Sequence, residues 1–327
     1  MQRDFHYNAV KTLAQKAGFE PEEAQIIAYA SEYVDDAIDY NEIELDFEPK
    51  IKFGKISGKT FNPICTAHRG LQIIKALNQD IQEKVYISFH FIPEIRNNQI
   101  CYLTQPNNNI SNELVDIALD ELSGKMGEER IQKLIKLGIA IHSYADTWSH
   151  QNFSGRHNSA ENDIVDIEIL QGSTWVPVSN IKNIQYSAMP DIGHAEANNF
   201  PDLSHLKWRY TKAFNKNLII RDNTLICMQA ANQIFNKFVI ATNSNNDWNN
   251  FDFMFLQCFN KKTENLEDKY QNYKLKFPDL EYNYDEYQWK KDALAGKDNK
   301  WFYFHIEALN QRNFILNKIK EKEDCEN

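Results

Sequence analysis

Nothing in the sequence offers to staple the chain, export it or anchor it. The five cysteines (Cys65, Cys101, Cys227, Cys258 and Cys325) lie far apart, with no CxxC spacing. That pattern excludes a legible disulfide framework and fits reduced thiols in a reducing compartment. The opening MQRDFHYNAV has no apolar core of the signal-peptide kind, and no later run approaches ~18 consecutive apolar residues. The expectation is a cytoplasmic protein with no integral membrane segment. Glycine and proline are scarce, at 11 and 9 of 327 residues, which disfavours a turn-rich all-β fold. Positive charge is in deficit too. A net charge of −10 repels nucleic acid and anionic membranes, so nucleic acid could enter only as a substrate. Walker A, GxGxxG and GxSxG signatures are missing, so neither nucleotide-driven chemistry nor a serine nucleophile is signalled.

What is present is apolar periodicity, mostly of the helical kind. The chain is 42% hydrophobic, enough for a sizeable core, and its 327 residues exceed the roughly 250–300 that one core serves. We expect a mainly α fold, a helical bundle with small β-hairpin insertions. The main helical domain would cover 1–261, with insertions at about 41–110 and 163–185, and a C-terminal helical appendage over 262–327 would pack on it. A first helix is predicted over 4–17, with His6, Ala9, Val10, Leu13 and Ala17 inward and Gly18 as its stop. Pro21 opens a second, on which Ala24, Ile27, Ala28, Ser31, Asp35 and Ile38 share a face. KIKFGKISGKTF, KVYISFHFI and QICYLT read as short strands, with a helix in HRGLQIIKALNQDIQ. A long helical region follows over about 112–150, broken near Gly124. DIVDIEILQGSTWVPVSNI reads as a hairpin turning at Gln171-Gly172-Ser173, and the pattern is helical again over about 201–261. WFYFHIEALNQRNFILNKIK is a last amphipathic helix.

The chemistry concentrates in HSYADTWSH, where His142, Asp146 and His150 recur every four residues. The apolar stripe Ile131, Leu134, Ile135 and Ile141 runs straight into His142, Ala145 and Asp146, so the polar row continues the buried face. Buried ionisable groups are costly unless paired, hydrogen-bonded or bound to metal. One such residue on an apolar face is usually a satisfied core group. Here His6 and Asp35 repeat the oddity on two other helices, and imidazole with carboxylate is the donor set that a zinc-type cation takes inside a bundle. Asp146 can reach the ion of His142 with one oxygen and keep its second oxygen for a neighbouring ion. His150, one turn further, would serve an additional ion.

The ordered set His6, Asp35 or Asp36, His68, His142-xxx-Asp146, His150 and His194 resembles the zinc-dependent phospholipase C and single-strand nuclease superfamily. The resemblance implies an all-α bundle holding two or three Zn2+ ions. It also implies a hydrolase of phosphoesters, acting on a small molecule or a lipid head group through a metal-activated water. Matched to it, Asp146 is the bridging ligand of the HxxxD pair, His6 the early histidine and His68 the mid-chain histidine. Asp35 is the isolated aspartate, with Asp36 as its near alternative, and His150 and His194 hold the third ion. Asp146 and Asp35 would carry catalysis. The stretches DFHY, AYASEYVDDA, TAHRG, SFHFIP, HSYADTWSHQNFSG and PDIGHAEANNFPDL also resemble an uncharacterised bacterial family of unknown function, over most of the chain and with no activity attached.

The chain departs from the superfamily pattern at three points. It begins Met1-Gln2 rather than with the superfamily's tryptophan, so Asp4 would stand in as a ligand. His150 follows Asp146 by four residues instead of six. Asn198 occupies the place of the last acid, leaving Asp191, Glu196 or Asp202 to serve. Among the other histidines, His90 alternates with Phe89 and Phe91 on the predicted strand and is either a ligand or a packing group that supports one. His157 and His205 read as surface residues and His305 as packing. Two alternatives stand beside the hydrolase: a non-catalytic binding protein stabilised by metal, and an HD-like phosphohydrolase, although the contiguous His-Asp pair of the latter does not occur.

Overall fold

The computed structural model describes residues 1–49, 51, 59–69, 75–178 and 191–326. The chain enters on a π-helical turn, Asp4–Ala9, that runs directly into α1 (Val10–Lys16). Pro21 then starts α2 (Pro21–Asp36), where its missing N–H costs nothing. β1 (Ile43–Glu44) and β2 (Thr60–Phe61) form a small antiparallel pair. α3 (Gln79–Ile81) passes into a second π-helical stretch, Gln82–His90. β3 (Glu94–Arg96) and β4 (Gln99–Cys101) make a hairpin whose two turn residues, Asn97 and Asn98, both take positive φ, the conformation asparagine tolerates best after glycine. α4 (Asn109–Leu122) is capped by the Asn108 side chain, which accepts from the Ser111 N–H. After a break at 123–126 comes α5 (Gly127–Ser149), then the short α6 (Ser159–Asn162).

Strands β5 (Ile164–Gln171), β6 (Thr174–Pro177), β7 (Lys207–Lys212) and β8 (Leu218–Asp222) form an antiparallel sheet of order β6-β5-β7-β8. β5 and β6 turn at Gly172-Ser173, with Gln171 opposite Thr174, as the sequence predicts. The remaining helices are α7 (Asn223–Thr242), α8 (Asp252–Phe259), α9 (Leu266–Lys276), α10 (Gln288–Leu294) and α11 (Lys300–Glu326). Among the described residues the protein is thus mainly helical, with small antiparallel sheets.

α5 is the axis. It packs against α2, α4, α7 and α11, and from Leu137 to Ser149 every residue is buried. A helix apolar or satisfied all round belongs in the middle of a core. Gly138 sets its distance from α2: a Cβ there would lie 2.3 Å from the Ile27 carbonyl oxygen and 2.6 Å from the Ala30 Cβ. This close approach also puts the Ser31 carbonyl within 2.8 Å of His142 Nδ1, one turn further along α5. Gly138→Ala is therefore expected to push α2 off α5, cost about 1–3 kcal/mol in a urea melt, and release His142 from Ser31. A cost below about 0.5 kcal/mol would show that the helices separate freely at this point.

Two expected elements are different in kind. KVYISFHFI is helical rather than a strand. Its alternation of aromatic and polar residues mimics period two, but the segment packs against both α5 and α11, and burial on several sides favours a helix over the local β preference. Residues 207–222, expected within a helical region, form β7 and β8. In KWRYTK, Trp208, Tyr210 and Lys212 are buried while Lys207, Arg209 and Thr211 are half-buried, a period of two that six residues present only weakly. The predicted strand run at 50–61, the helix in HRGLQIIKALNQDIQ and the end of the insertion toward 185 lie partly outside the described residues.

Candidate metal centre

Asp146 sits at the centre of the site, 1% exposed in the last turn of α5. Its Oδ1 lies 2.6 Å from the Met1 amino nitrogen and 3.1 Å from His6 Nε2. Its Oδ2 lies 3.2 Å from His90 Nδ1, 3.3 Å from His142 Nε2 and 3.6 Å from His150 Nδ1. The two oxygens thus face two different sets of donors. Asp35, at the end of α2, brings Oδ1 to 3.8 Å from both His90 Nδ1 and His142 Nε2. Asp202 closes the other side, with Oδ1 at 3.4 Å from His150 Nε2 and Oδ2 at 3.5 Å from His194 Nε2.

Backbone carbonyls fix the imidazoles. His142 Nδ1–H donates to Ser31 O at 2.8 Å, and His90 Nε2–H to Thr66 O at 2.9 Å. His150 Nδ1–H donates to His90 O and His194 Nδ1–H to Asn198 O, each at 2.7 Å. A carbonyl has no proton to give, so in the neutral form each ring presents its other nitrogen as a bare lone pair. Those lone pairs converge: His142 Nε2 lies 3.3 Å from His90 Nδ1, and both face carboxylate oxygens. Acceptor against acceptor at this range is repulsive unless a proton or a metal cation lies between them, and an outer N–H held by a carbonyl is how proteins orient metal-ligating histidines. Three such groups have ligand atoms within 4.8 Å of one another: His6, Asp35 and His142; His90, His142 and Asp146; and His150, His194 and Asp202.

The electrostatics agree with the geometry. Burial opposes ionisation of Asp146, but His150, the Met1 amine, His142 and His6 hold it well below the usual carboxylate range. Asp202 is treated alike: burial raises it, and the Met1 amine, His194 and His150 bring it far lower. Burial lowers His6 and His194 to about 4, keeping both neutral and available as ligands at physiological pH. His90 moves the other way: burial lowers it most, but Asp146, Asp35 and the Thr66 carbonyl together raise it further. His6 Nδ1 is buried without a hydrogen-bond partner, which is the condition a bound ion relieves.

A cavity of about 350 Å³ reaches Asp35, Asp146, Asp202, His90, His150 and His194. Phe91 covers one side, its ring stacked on His150 with centroids 4.5 Å apart. Gly193 permits this: at φ +56°, a Cβ would meet the Phe91 ring at 2.4 Å.

Of the residues singled out in the sequence, His6, Asp35, His142, Asp146, His150, His194, His90 and Asp202 come together. Asp36 does not. Successive helical residues point about 100° apart, so with Asp35 facing α5, Asp36 turns to Arg69, Arg3 and the Tyr284 hydroxyl. Asp4 is in a buried ion pair with Lys269 Nζ at 2.8 Å, where it also accepts from Ser204, rather than at the centre. Asp191 groups with Asp163 and Glu196, apart from the histidines. His90 occupies the mid-chain position that the resemblance gives to His68. The His68 ring lines the cavity beside Tyr86, 5.9 Å away, and belongs to none of the three groups. A strand reading of YISFHF conceals His90, whose place is fixed only because a buried helical stretch ends on it.

The fold and site together define a mainly helical protein with a buried histidine–aspartate centre open to one cavity. The chain belongs to a family of unknown function (DUF6765), whose match spans residues 1–319. No curated protein and no solved structure matches it. These comparisons lend no support to the resemblance to zinc-dependent phospholipase C and nucleases.

Proposed function

We propose that the protein is a metal-dependent hydrolase of phosphoesters, with two or three divalent cations held by His6, Asp35, His90, His142, Asp146, His150, His194 and Asp202. One observation carries the reading: four carbonyl-locked imidazoles aim lone pairs at three carboxylates on the floor of an open cavity. Nitrogen and carboxylate donors in this mixture suit zinc, and the finer likeness, phospholipase C-like or nuclease-like, belongs to the same proposal. Bound cations supply Lewis acidity toward a phosphoryl oxygen and toward an attacking water.

The side chains have separable roles. Asp146 would hold cations on both of its sides, since its two oxygens face different donor sets. Asp35 is one-third exposed while its neighbours in the group are fully buried, so its carboxylate has room to take the proton of an attacking water. Phe91 and Ile192 give the cavity an apolar wall that limits stray water near the centre. A purely structural ion would need no cavity reaching its ligands.

Protein purified without chelator is expected to carry at least two divalent ions per chain and to cleave a generic chromogenic phosphoester. Elemental analysis reads the first and release of the chromophore the second. Fewer than one ion per chain, with no uptake on adding zinc, sinks the metal centre. A full complement of metal with no hydrolysis of monoester or diester leaves a metal-stabilised binding protein.

A further inference from the structure

We propose that a second cavity, about 290 Å³ in volume, binds one neutral sugar ring. It shares no lining residue with the cavity of the metal centre, and the inference does not rest on the phosphoester reading. The cavity lies between the first π-helical turn and the segment that runs from α9 to Tyr284. That turn faces two ways. His6 reaches Asp146, whereas Asp4, Tyr7 and Asn8, spaced i, i+3 and i+4, line the second cavity.

Asp4 carries the sign of a missing partner. Its side chain is 1% exposed, and its Oδ2 is committed to Lys269 and Ser204. Its Oδ1 is buried and meets no hydrogen-bond partner among the described residues. A bare buried carboxylate oxygen is costly, and a ligand hydroxyl removes that cost. The charges around it are already paired. Lys269 neutralises Asp4, and Arg3 Nε lies 2.8 Å from Glu32, with Asp36 and Glu286 at 3.6 and 3.7 Å from its Nη2. An anion would face those carboxylates and an ammonium would face Arg3 and Lys269, so the site favours a neutral ligand. Much of the remaining wall is aromatic carbon. The Tyr7 hydroxyl is bonded to Gln25 and Asn283, that of Tyr282 to Thr12, and that of Tyr284 to Asp36. With those hydroxyls spent, the rings offer carbon surface, and Tyr270 adds a fourth ring, perpendicular to Tyr282 with centroids 5.9 Å apart. A sugar ring has C–H faces that pack on such rings and hydroxyls at its rim. Each hydroxyl both donates and accepts, so one can donate to Asp4 Oδ1 while another exchanges hydrogen bonds with the Asn8 amide. The volume is near the lower end of the usual ~300–1,000 Å³ for ligand pockets, which suits one ring rather than a chain of them.

The test is saturation-transfer NMR and calorimetry on the full-length protein, with the methyl glycosides of glucose, galactose, mannose and N-acetylglucosamine as probes. At least one is expected to bind with a dissociation constant of about a millimolar, ordinary for a ligand of this size. Tyr270→Ala is expected to weaken that binding about three- to tenfold, and Asn8→Ala by about the same factor. Asp4→Asn should weaken it further, but it also strips Lys269 of its partner. The two variants that leave the ion pair intact therefore decide, with circular dichroism to show that each is folded. Weakening in either folded variant supports the site. Glycoside binding that ignores both variants overturns the proposal. So does the failure of all four glycosides to bind, or the binding of a butylammonium probe in their place.

Discussion

Asp146→Asn is expected to empty at least one metal site and to reduce hydrolysis by several orders of magnitude, while leaving the metal-free fold intact. The substitution keeps the shape but replaces one oxygen by an NH2 group. If that group takes the place of Oδ2, it faces His90 Nδ1 at 3.2 Å and His142 Nε2 at 3.3 Å, both lone pairs. An amide can donate to each of them, whereas the carboxylate cannot. The variant therefore satisfies the centre without a cation and removes the charge that would hold two ions together. Metal analysis should show the loss, and a thermal melt should show that added zinc no longer stabilises the protein. If Asp146 were only a core hydrogen-bond acceptor, the same change would cost about 1–3 kcal/mol and leave the metal content alone. Wild-type stoichiometry in the Asp146→Asn protein would refute the bridging role.

Chelation of the wild type is expected to lower its melting temperature by roughly 10 °C. A ligand that binds only the folded state adds about 4 kcal/mol when present at a thousand times its dissociation constant, and one kcal/mol moves a chain of this size by roughly 2–4 °C. In the stripped centre the Met1 amine, beside Asp146 and Asp202, offsets part of the carboxylate charge, and the ions supply the rest. The stripped protein should also become acid-sensitive. His6 and His194 are lowered to about 4 and His305, buried in the aromatic cluster beside Trp301, to about 3. Their unfolded counterparts take up a proton near 6.5. Between 6.5 and about 4 the unfolded chain binds more protons than the folded one, so stability falls as pH falls. His90, raised, and Glu32, raised to about 8, work in the opposite direction and offset two of the three. The net slope should be no more than about 1.4 kcal/mol per pH unit over that window. Zinc should steepen this dependence, because bound metal keeps the imidazoles, His90 included, deprotonated in the folded state while the unfolded chain still takes up protons. A melting temperature that ignores both chelator and zinc would mean that the ion pairs alone hold the centre.

The parts of this protein legible in its sequence are those where a local period and a local group coincide. The buried row of α5 is such a case: His142 and Asp146 continue the stripe of Leu134 and Ile141, and a carboxylate at that position has to be compensated. His6 and Asp35 follow from the same reasoning on neighbouring helices, and the Gly172-Ser173 hairpin follows from its turn residues. Long-range packing determined the rest. Asp35 rather than Asp36 reaches the centre because Gly138 fixes how α2 lies on α5, a contact between segments a hundred residues apart. His90 takes the place expected of His68 because a strand-like stretch is helical once buried against α5 and α11. Asp202 becomes the acid for His150 and His194 while Asp191 does not, although both follow His194 closely or precede it closely in the chain. Sequence fixes which donor atoms exist and which faces must be buried. Which donors share a few ångströms depends on how those faces meet, and side-chain spacing along one element cannot encode that.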